Sequence, residues 1–169
     1  MADQPPFPQP RILAGSSTDV DMIISVAVKL KQIFEKGRDY PWPKPDTCPA
    51  CRASRLWGHG FVAAYFDGFA TCLMLRRYRC PACHCVIRMK PQGYFVRFQA
   101  SIETIRASVS QRLKTGRYLA QLSRTRQQHW LRALKRNVLA YLGDAWRHRL
   151  AAAFEHLIEI GMVPVSRSI

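Results

Sequence analysis

"RRYRCPACHC", residues 76–85, read together with "CPAC" at residues 48–51, is the stretch whose reading decides the fold. The Cys-Pro-Ala-Cys tetrapeptide occurs twice, and twenty-eight residues separate Cys51 from Cys80. A two-residue gap bends the backbone so that both sulfurs of a knuckle face one point, and four thiolates in two knuckles suit a tetrahedral zinc ion. From Leu56 to Arg79 the composition turns aromatic and β-branched, and "AYFDGFA", residues 64–70, sets Asp67-Gly68 between two apolar arms. That pattern signals a two-residue hairpin. Val86 to Met89 offers a third short strand. The expectation for residues 46–91 is therefore a small zinc ribbon, a three-stranded antiparallel sheet with Cys48, Cys51, Cys80 and Cys83 around one structural zinc ion. Four cysteines leave no open position for a reactive water. A sheet this small has little core, and zinc contributes folding free energy of order 10 kcal/mol in such modules.

The alternative is two buried or redox-active thiol pairs, but a redox motif normally stands singly beside a βαβ pattern. Cys72, among Leu73 and Leu75, reads as a small strand hydrophobe. His84 and Cys85 directly follow Cys83, where crowding disfavours three consecutive ligands; they stay open as substitutes if Cys83 is displaced.

Charge is the second signal. The chain carries 26 Lys+Arg against 11 Asp+Glu, and arginine supplies 19 of the cations. Between Arg76 and Arg149 stand seventeen Lys/Arg and only two acids, Glu103 and Asp144. A basic middle favours a polyanionic partner, nucleic acid or an acidic membrane surface, and the planar arginine fork suits phosphate and guanine edges. The bland reading is a solubilising surface. No apolar run approaches the roughly 18 residues of a membrane span, and "MADQPPFPQPR" at the start has no apolar core behind a positive start. A cytoplasmic, reducing setting is the resulting expectation, with no membrane partner; there, paired cysteines more often bind metal than form disulfides.

Outward from the ribbon, residues 1–17 are rich in proline and polar residues and read as a disordered tail. Over residues 18–37, Val20, Ile23, Ile24, Ala27, Leu30 and Phe34 recur at helical spacing, which predicts an amphipathic helix stopped by Gly37 and available as a homodimer contact. "RDYPWPKPD", residues 38–46, is a stiff proline-rich connector. After Pro91 the texture is helical. Ser101 can cap a helix carrying Ile102, Ile105, Val109 and Leu113 and ending at Gly116, a short helix is expected over Arg117 to Leu122, and Ser123 can cap a longer one ending at Gly143. A last helix is expected over residues 144–161, and the tail "MVPVSRSI" shows no obvious structure.

Residues 100–143 thus have the layout of a helix-turn-helix, whose last helix enters the major groove with its early residues. Here these are Arg124, Thr125, Arg126, Gln127 and Gln128, while Trp130 and Leu131 point to the core. Fork and amide groups of this kind read guanine and adenine edges. A solvated helix face in a bundle is the alternative, since Arg and Gln are also good helix formers.

The order "CPAC", hairpin, "RRYRCPAC", "YFVRFQASIETIR" and "SRTRQQHWLRAL" resembles the N-terminal zinc ribbon plus helix-turn-helix of bacterial insertion-sequence transposases, and short stand-alone reading frames that accompany such elements. The resemblance covers roughly residues 48–134. It departs where such ribbons often place glycine soon after a knuckle; here Arg52 and His84 take those places. It departs again in that the related transposases continue into a catalytic domain with an acidic triad, whereas the acids after the ribbon here are Glu103, Asp144, Glu155 and Glu159, all in expected helices.

The expected class is α+β: a zinc ribbon with an N-terminal helix and a C-terminal helix-turn-helix-like region. The expected function is that of a non-catalytic DNA-binding protein associated with a mobile element, recruiting a separate transposase or integrase. Arg76, Arg77, Arg79, Arg88, Lys90 and Arg97 would contact phosphates, and Arg124 to Gln128 would contact bases. The rival is a protein-interaction adaptor or transcriptional regulator with weak non-specific nucleic-acid binding, and a thiol oxidoreductase stands third.

Overall fold

The computed structural model describes residues 21–167. The tail expected over residues 1–17 and the start of the helix expected over 18–37 lie outside the described residues. The element order is β1 (Asp21–Val26), α1 (Leu30–Lys36), β2 (Trp57–Ala64), β3 (Leu73–Arg79), β4 (Val86–Pro91), α2 (Ile102–Thr115), α3 (Arg124–Tyr141) and α4 (Leu150–Glu159). The class is α+β, but the sheet is four-stranded and mixed, in the order β1-β4-β3-β2, and not three-stranded and antiparallel. Two compact units divide the chain: the described part of Met1–Ile24 with Pro41–Val62 and Leu75–Lys90, and Ser25–Tyr40 with Ala63–Met74 and Pro91–Ile169.

The extra strand corrects the helix expected over residues 18–37. Its sequence DMIISV is rich in β-branched residues, and burial alternates residue by residue from Met22 to Val26. Ile23, Ile24 and Ala27 satisfy helical spacing as well, and periodicity alone cannot separate the two in so short an apolar run. Pairing beside β4 decides for the strand, and helix forms only over the seven residues of α1, with Ile33 fully buried.

Two strands meet at the second knuckle. β3 and β4 are antiparallel with Arg77 opposite Arg88, Tyr78 opposite Ile87 and Arg79 opposite Val86. In β2, Gly60 has φ +71°, a left-handed residue inside a strand, as a bulge requires. Asp67-Gly68 does form a turn, but residues 65–72 are all outside strands, so the expected two-residue hairpin is a longer loop, and Cys72 precedes β3 instead of lying in it.

The helical unit packs α2, α3 and α4 around Ile105, Val109, Trp130, Leu134, Val138, Phe154 and Leu157. Ser101 caps α2 as expected, its Oγ accepting from the Thr104 N–H at 3.0 Å, and Gly116 closes it with φ +71°. The short helix expected over Arg117 to Leu122 is absent; a turn occupies that place. The helix expected over 144–161 is shorter, a 3-10 turn at Asp144–Trp146 followed by α4. The tail is ordered where sequence showed nothing: Val165 is fully buried, and Asn137 Nδ2 donates to the Pro164 carbonyl at 2.9 Å. Arg106 joins α2 to α4 through Glu155, with Nε to Oε1 at 2.6 Å and Nη2 to Oε2 at 3.1 Å.

Candidate metal centre and cationic surfaces

The two knuckles are built alike. In the first, the Arg52 N–H donates to the Cys48 carbonyl at 2.8 Å and the Cys48 N–H to the Ala53 carbonyl at 2.8 Å. In the second, the His84 N–H donates to the Cys80 carbonyl and the Cys80 N–H to the Cys85 carbonyl, both at 3.0 Å. This loop needs a left-handed residue just after its second cysteine, the conformation glycine adopts most readily. Arg52 and His84 adopt it, with φ +65° and +61°, so replacing glycine there leaves the turn unchanged. The second knuckle is also the turn of the β3–β4 hairpin, since its closing bond continues the ladder one step beyond Arg79 and Val86.

The sulfurs of Cys48, Cys51, Cys80 and Cys83 all lie within 4.8 Å of one another. The closest approaches cross between knuckles: Cys48 Sγ to Cys83 Sγ at 3.6 Å and Cys51 Sγ to Cys80 Sγ at 3.5 Å. Zinc–sulfur bonds of about 2.3 Å at tetrahedral angles put sulfurs about 3.8 Å apart. The spacing fits a metal ion and is far beyond the roughly 2.05 Å of a disulfide; all six cysteines are free thiols. Cys48 and Cys80 are buried, whereas Cys51 and Cys83 are exposed.

The knuckle backbone prepares thiolates. The Cys83 N–H, followed by that of Ala82, lowers Cys80 to about 7. The Cys85 N–H lowers Cys83, but desolvation and the neighbouring thiols of Cys51, Cys48 and Cys80 outweigh it, leaving Cys83 at about 12. Four crowded sulfurs cannot all ionise without a cation among them. Cys85 borders this cluster, close to Cys48, without being one of its four thiols. It is buried, its Sγ faces the Val86 carbonyl at 3.7 Å, and burial pushes its thiol up to about 11. Cys85 occupies the place that Ala53 has in the first knuckle, and it packs there. Neither His84 nor Cys85 belongs to the four-ligand cluster.

The arginines expected on the ribbon divide between two faces. Side chains alternate along a strand, so Arg77 and Arg79 share a face of β3, with Arg88 opposite Arg77, and Lys90 lies two residues further along β4. Arg76 lies on the other face, its guanidinium 4.8 Å from the Phe61 ring centroid and 5.6 Å from that of Tyr78. A Cβ on Gly58 would sit 2.3 Å from Arg76 Nη2, so this glycine makes room for the arginine. Burial lowers Lys90 to about 8. Arg97 is not on the sheet; it is an exposed residue of the second unit, with φ +67°.

On α3 the expected base-reading set breaks up. Gln127 is only 1% exposed, and its carboxamide holds the turn before the helix. Its Oε1 accepts from Ser108 Oγ at 2.8 Å and the Leu119 N–H at 2.9 Å, and its Nε2 donates to the carbonyls of Leu119 at 2.8 Å and Leu122 at 3.1 Å. With its amide spent inside, Gln127 cannot face a base; that role is corrected. These same bonds stand where the expected Arg117–Leu122 helix would have made its own. Arg126 is also committed, its guanidinium paired with both carboxylate oxygens of Asp67 at 3.1 and 2.9 Å and lying 5.0 Å from the Trp130 ring centroid.

Arg124 and Thr125 are exposed and Gln128 half-buried. Arg132 and Lys135 extend the row from Arg124 and Gln128 along α3, and both are exposed. Sequence reasoning stopped at Gln128 and missed these two, although the steps of four, four and three from Arg124 mark one helical face. Residues 116–123 between α2 and α3 exceed the three or four of a helix-turn-helix turn.

The fold and site together define an α+β protein whose ribbon-like knuckles form a four-thiol site able to hold a metal ion. No family model matches the chain, and neither a curated protein nor a solved structure matches it. Among the described residues, no helix is long and apolar enough to cross a membrane.

Proposed function

We propose that this chain is a non-catalytic DNA-binding protein stabilised by one structural zinc ion. All four sites of a tetrahedron are taken by cysteine, which leaves no open position for a substrate or water. The observation that carries the nucleic-acid reading is Arg77 directly opposite Arg88 on the sheet. Arg79 and Lys90 lie on the same face, and the resulting row of like charges is complementary to a polyphosphate backbone. In the second unit, Arg124, Thr125, Gln128, Arg132 and Lys135 form the corresponding outward face of α3, with Arg124 and Gln128 the candidates for base edges.

The zinc-loaded full chain is expected to hold one zinc per molecule by elemental analysis. Random-sequence duplex selection should enrich a motif. Arg124→Ala and Gln128→Ala should relax that motif by about 1–3 kcal/mol at single positions, whereas Arg77→Ala should weaken every duplex alike. Equal loss on all sequences for the three variants would overturn the division of roles. The order of motifs supports a further part of the proposal, that the protein accompanies a transposase or integrase in the cytoplasm; an integrase-type reading frame beside its gene would bear on that. A second reading, the protein-interaction adaptor, is favoured by Leu139 and Tyr141, which are exposed near the end of α3. Co-purification of a partner without any enriched DNA motif would select it.

A further inference from the structure

Beside the arginines already invoked, the ribbon carries aromatic and imidazole groups that the DNA-binding proposal does not use. Trp57, at the start of β2, is 57% exposed. Beside it lies a shallow pocket of about 330 Å³, lined by Trp57, Gly58, His59, Arg79, Pro81 and His84. An indole on a strand is normally covered by a neighbouring side chain, because its large apolar surface is costly to leave in water. Gly58 contributes only backbone to the wall, because its side-chain position points to the opposite face, where Arg76 fills the space. The charged member of the wall, Arg79, shares its face of β3 with Arg77.

Both arginines are already ordered. The Nε atoms of Arg77 and Arg79 are buried and meet no hydrogen-bond partner among the described residues, so the stems are packed. An arginine held in this way loses little freedom when its guanidinium meets an anion. No Asp or Glu occurs in residues 47–66 or 68–102, which together supply the pocket and its arginines, so no carboxylate of these segments competes for them. An exposed aromatic face next to guanidinium groups is the pairing that single-stranded nucleic acid requires, a stacking platform with a cationic track for the backbone. A duplex cannot use it, since each of its bases is covered on both faces by its neighbours.

We infer that this face of the ribbon binds an unpaired nucleotide strand, one base stacking on Trp57 in the pocket between His59 and His84, and the adjoining phosphates meeting Arg79 and Arg77. This rests on the nucleic-acid reading above and adds a substrate class to it. The Trp57 pocket would take unpaired bases, the outward face of α3 would read duplex, and Arg77 and Arg79 would serve the phosphates of either.

The test uses the zinc-loaded full chain, a 15-nucleotide oligo-dT, the matching oligo-rU, and a duplex of equal length. Oligo-dT is expected to quench the fluorescence of exposed tryptophan, and Trp57→Ala should remove that quenching and weaken oligo-dT binding about tenfold or more, the scale of one base–aromatic stack. Trp57→Phe should restore most of the affinity, and duplex affinity should stay within about twofold for both variants. Arg79→Gln should reduce the salt dependence of oligo-dT binding by about one counterion. Oligo-rU binding as tightly as oligo-dT would assign the site to either single strand, and weaker binding would assign it to DNA; both outcomes support the inference. Duplex binding with no effect of Trp57→Ala on oligo-dT would overturn this inference alone. Absence of binding to any of the three probes would overturn the DNA-binding reading with it.

Discussion

The ribbon and the helical bundle hold their shapes by different means, and this difference governs how each responds to damage. In the bundle, α2, α3 and α4 close over a continuous apolar core from Phe95 to Val165, to which every helix contributes. In the ribbon, the sheet residues alternate between buried groups such as Tyr78 and Ile87 and a cationic row, and the knuckles are tied by two backbone hydrogen bonds each and by whatever joins their sulfurs. Burial is distributed over many contacts and lost gradually. A metal site is a single bond set, and it is lost all at once.

Removing the metal is therefore the largest expected effect. A chelator, or Cys48→Ser, should abolish retention of the proposed zinc and unfold β2, β3 and β4, since structural zinc contributes of order 10 kcal/mol in modules of this kind. Hydrogen exchange should show protection lost at Arg77 to Val86 and kept in α3. The pH dependence has the same origin: protons compete with metal for thiolates, so zinc should be retained at neutral pH and released as pH falls. Simultaneous loss of protection in α3 would remove the distinction between the two regions.

In the bundle, the residue expected to matter most for its size is Gln127. Its truncation leaves the Ser108 hydroxyl, the Leu119 N–H and the carbonyls of Leu119 and Leu122 without their partner. Gln127→Ala should cost about 2–3 kcal/mol, because each buried polar group left unmet carries its own desolvation penalty. Gln128→Ala, one residue on and half-buried, should cost less than about 0.5 kcal/mol. Denaturant midpoints of the two variants, with the bound zinc unchanged, measure the contrast. Equal midpoints would mean that the turn before α3 does not depend on the buried amide.

What could be read from sequence follows the same division. The four-thiol cluster was legible because a repeated two-residue gap is a chemical constraint that local spacing expresses in full. Ser101, Gly116 and the apolar stripe Trp130, Leu134 and Val138 were legible because capping and helical periodicity are also local. β1 was not, because Ile23, Ile24 and Ala27 satisfy helix and strand alike until β4 lies beside them. Gln127 was misread for a related reason. A glutamine in the first turn of a cationic helix looks the same whether it faces a base or a turn eight residues back, and only the packed structure tells them apart. Likewise, Asp67 signalled a tight hairpin by its neighbour Gly68, but the loop it stands in also supplies the carboxylate for Arg126.

The smallest effect separates charge from packing within the ribbon itself. Lys90 lies on the Arg77–Arg88 face, and its ammonium is held at about 8, down from 10.5, by burial. The charged form is thus less favourable in the folded state than in the unfolded one. The penalty is complete below pH 8 and fades as pH rises from 8 toward 10.5, so stability from this residue should increase across that window. Lys90→Met should flatten the rise and stabilise the protein at pH 7 by about 1 kcal/mol, a modest value because the residue is only partly buried. A bound polyanion acts in the opposite sense, since phosphate beside the ammonium favours its charged form and raises its pKa. Nucleic-acid affinity should then fall as pH passes 8 in the natural protein and be flatter in Lys90→Met. If the variant keeps the full pH dependence of both stability and affinity, then the lysine is a spectator, and the cationic row of the ribbon begins at Arg88.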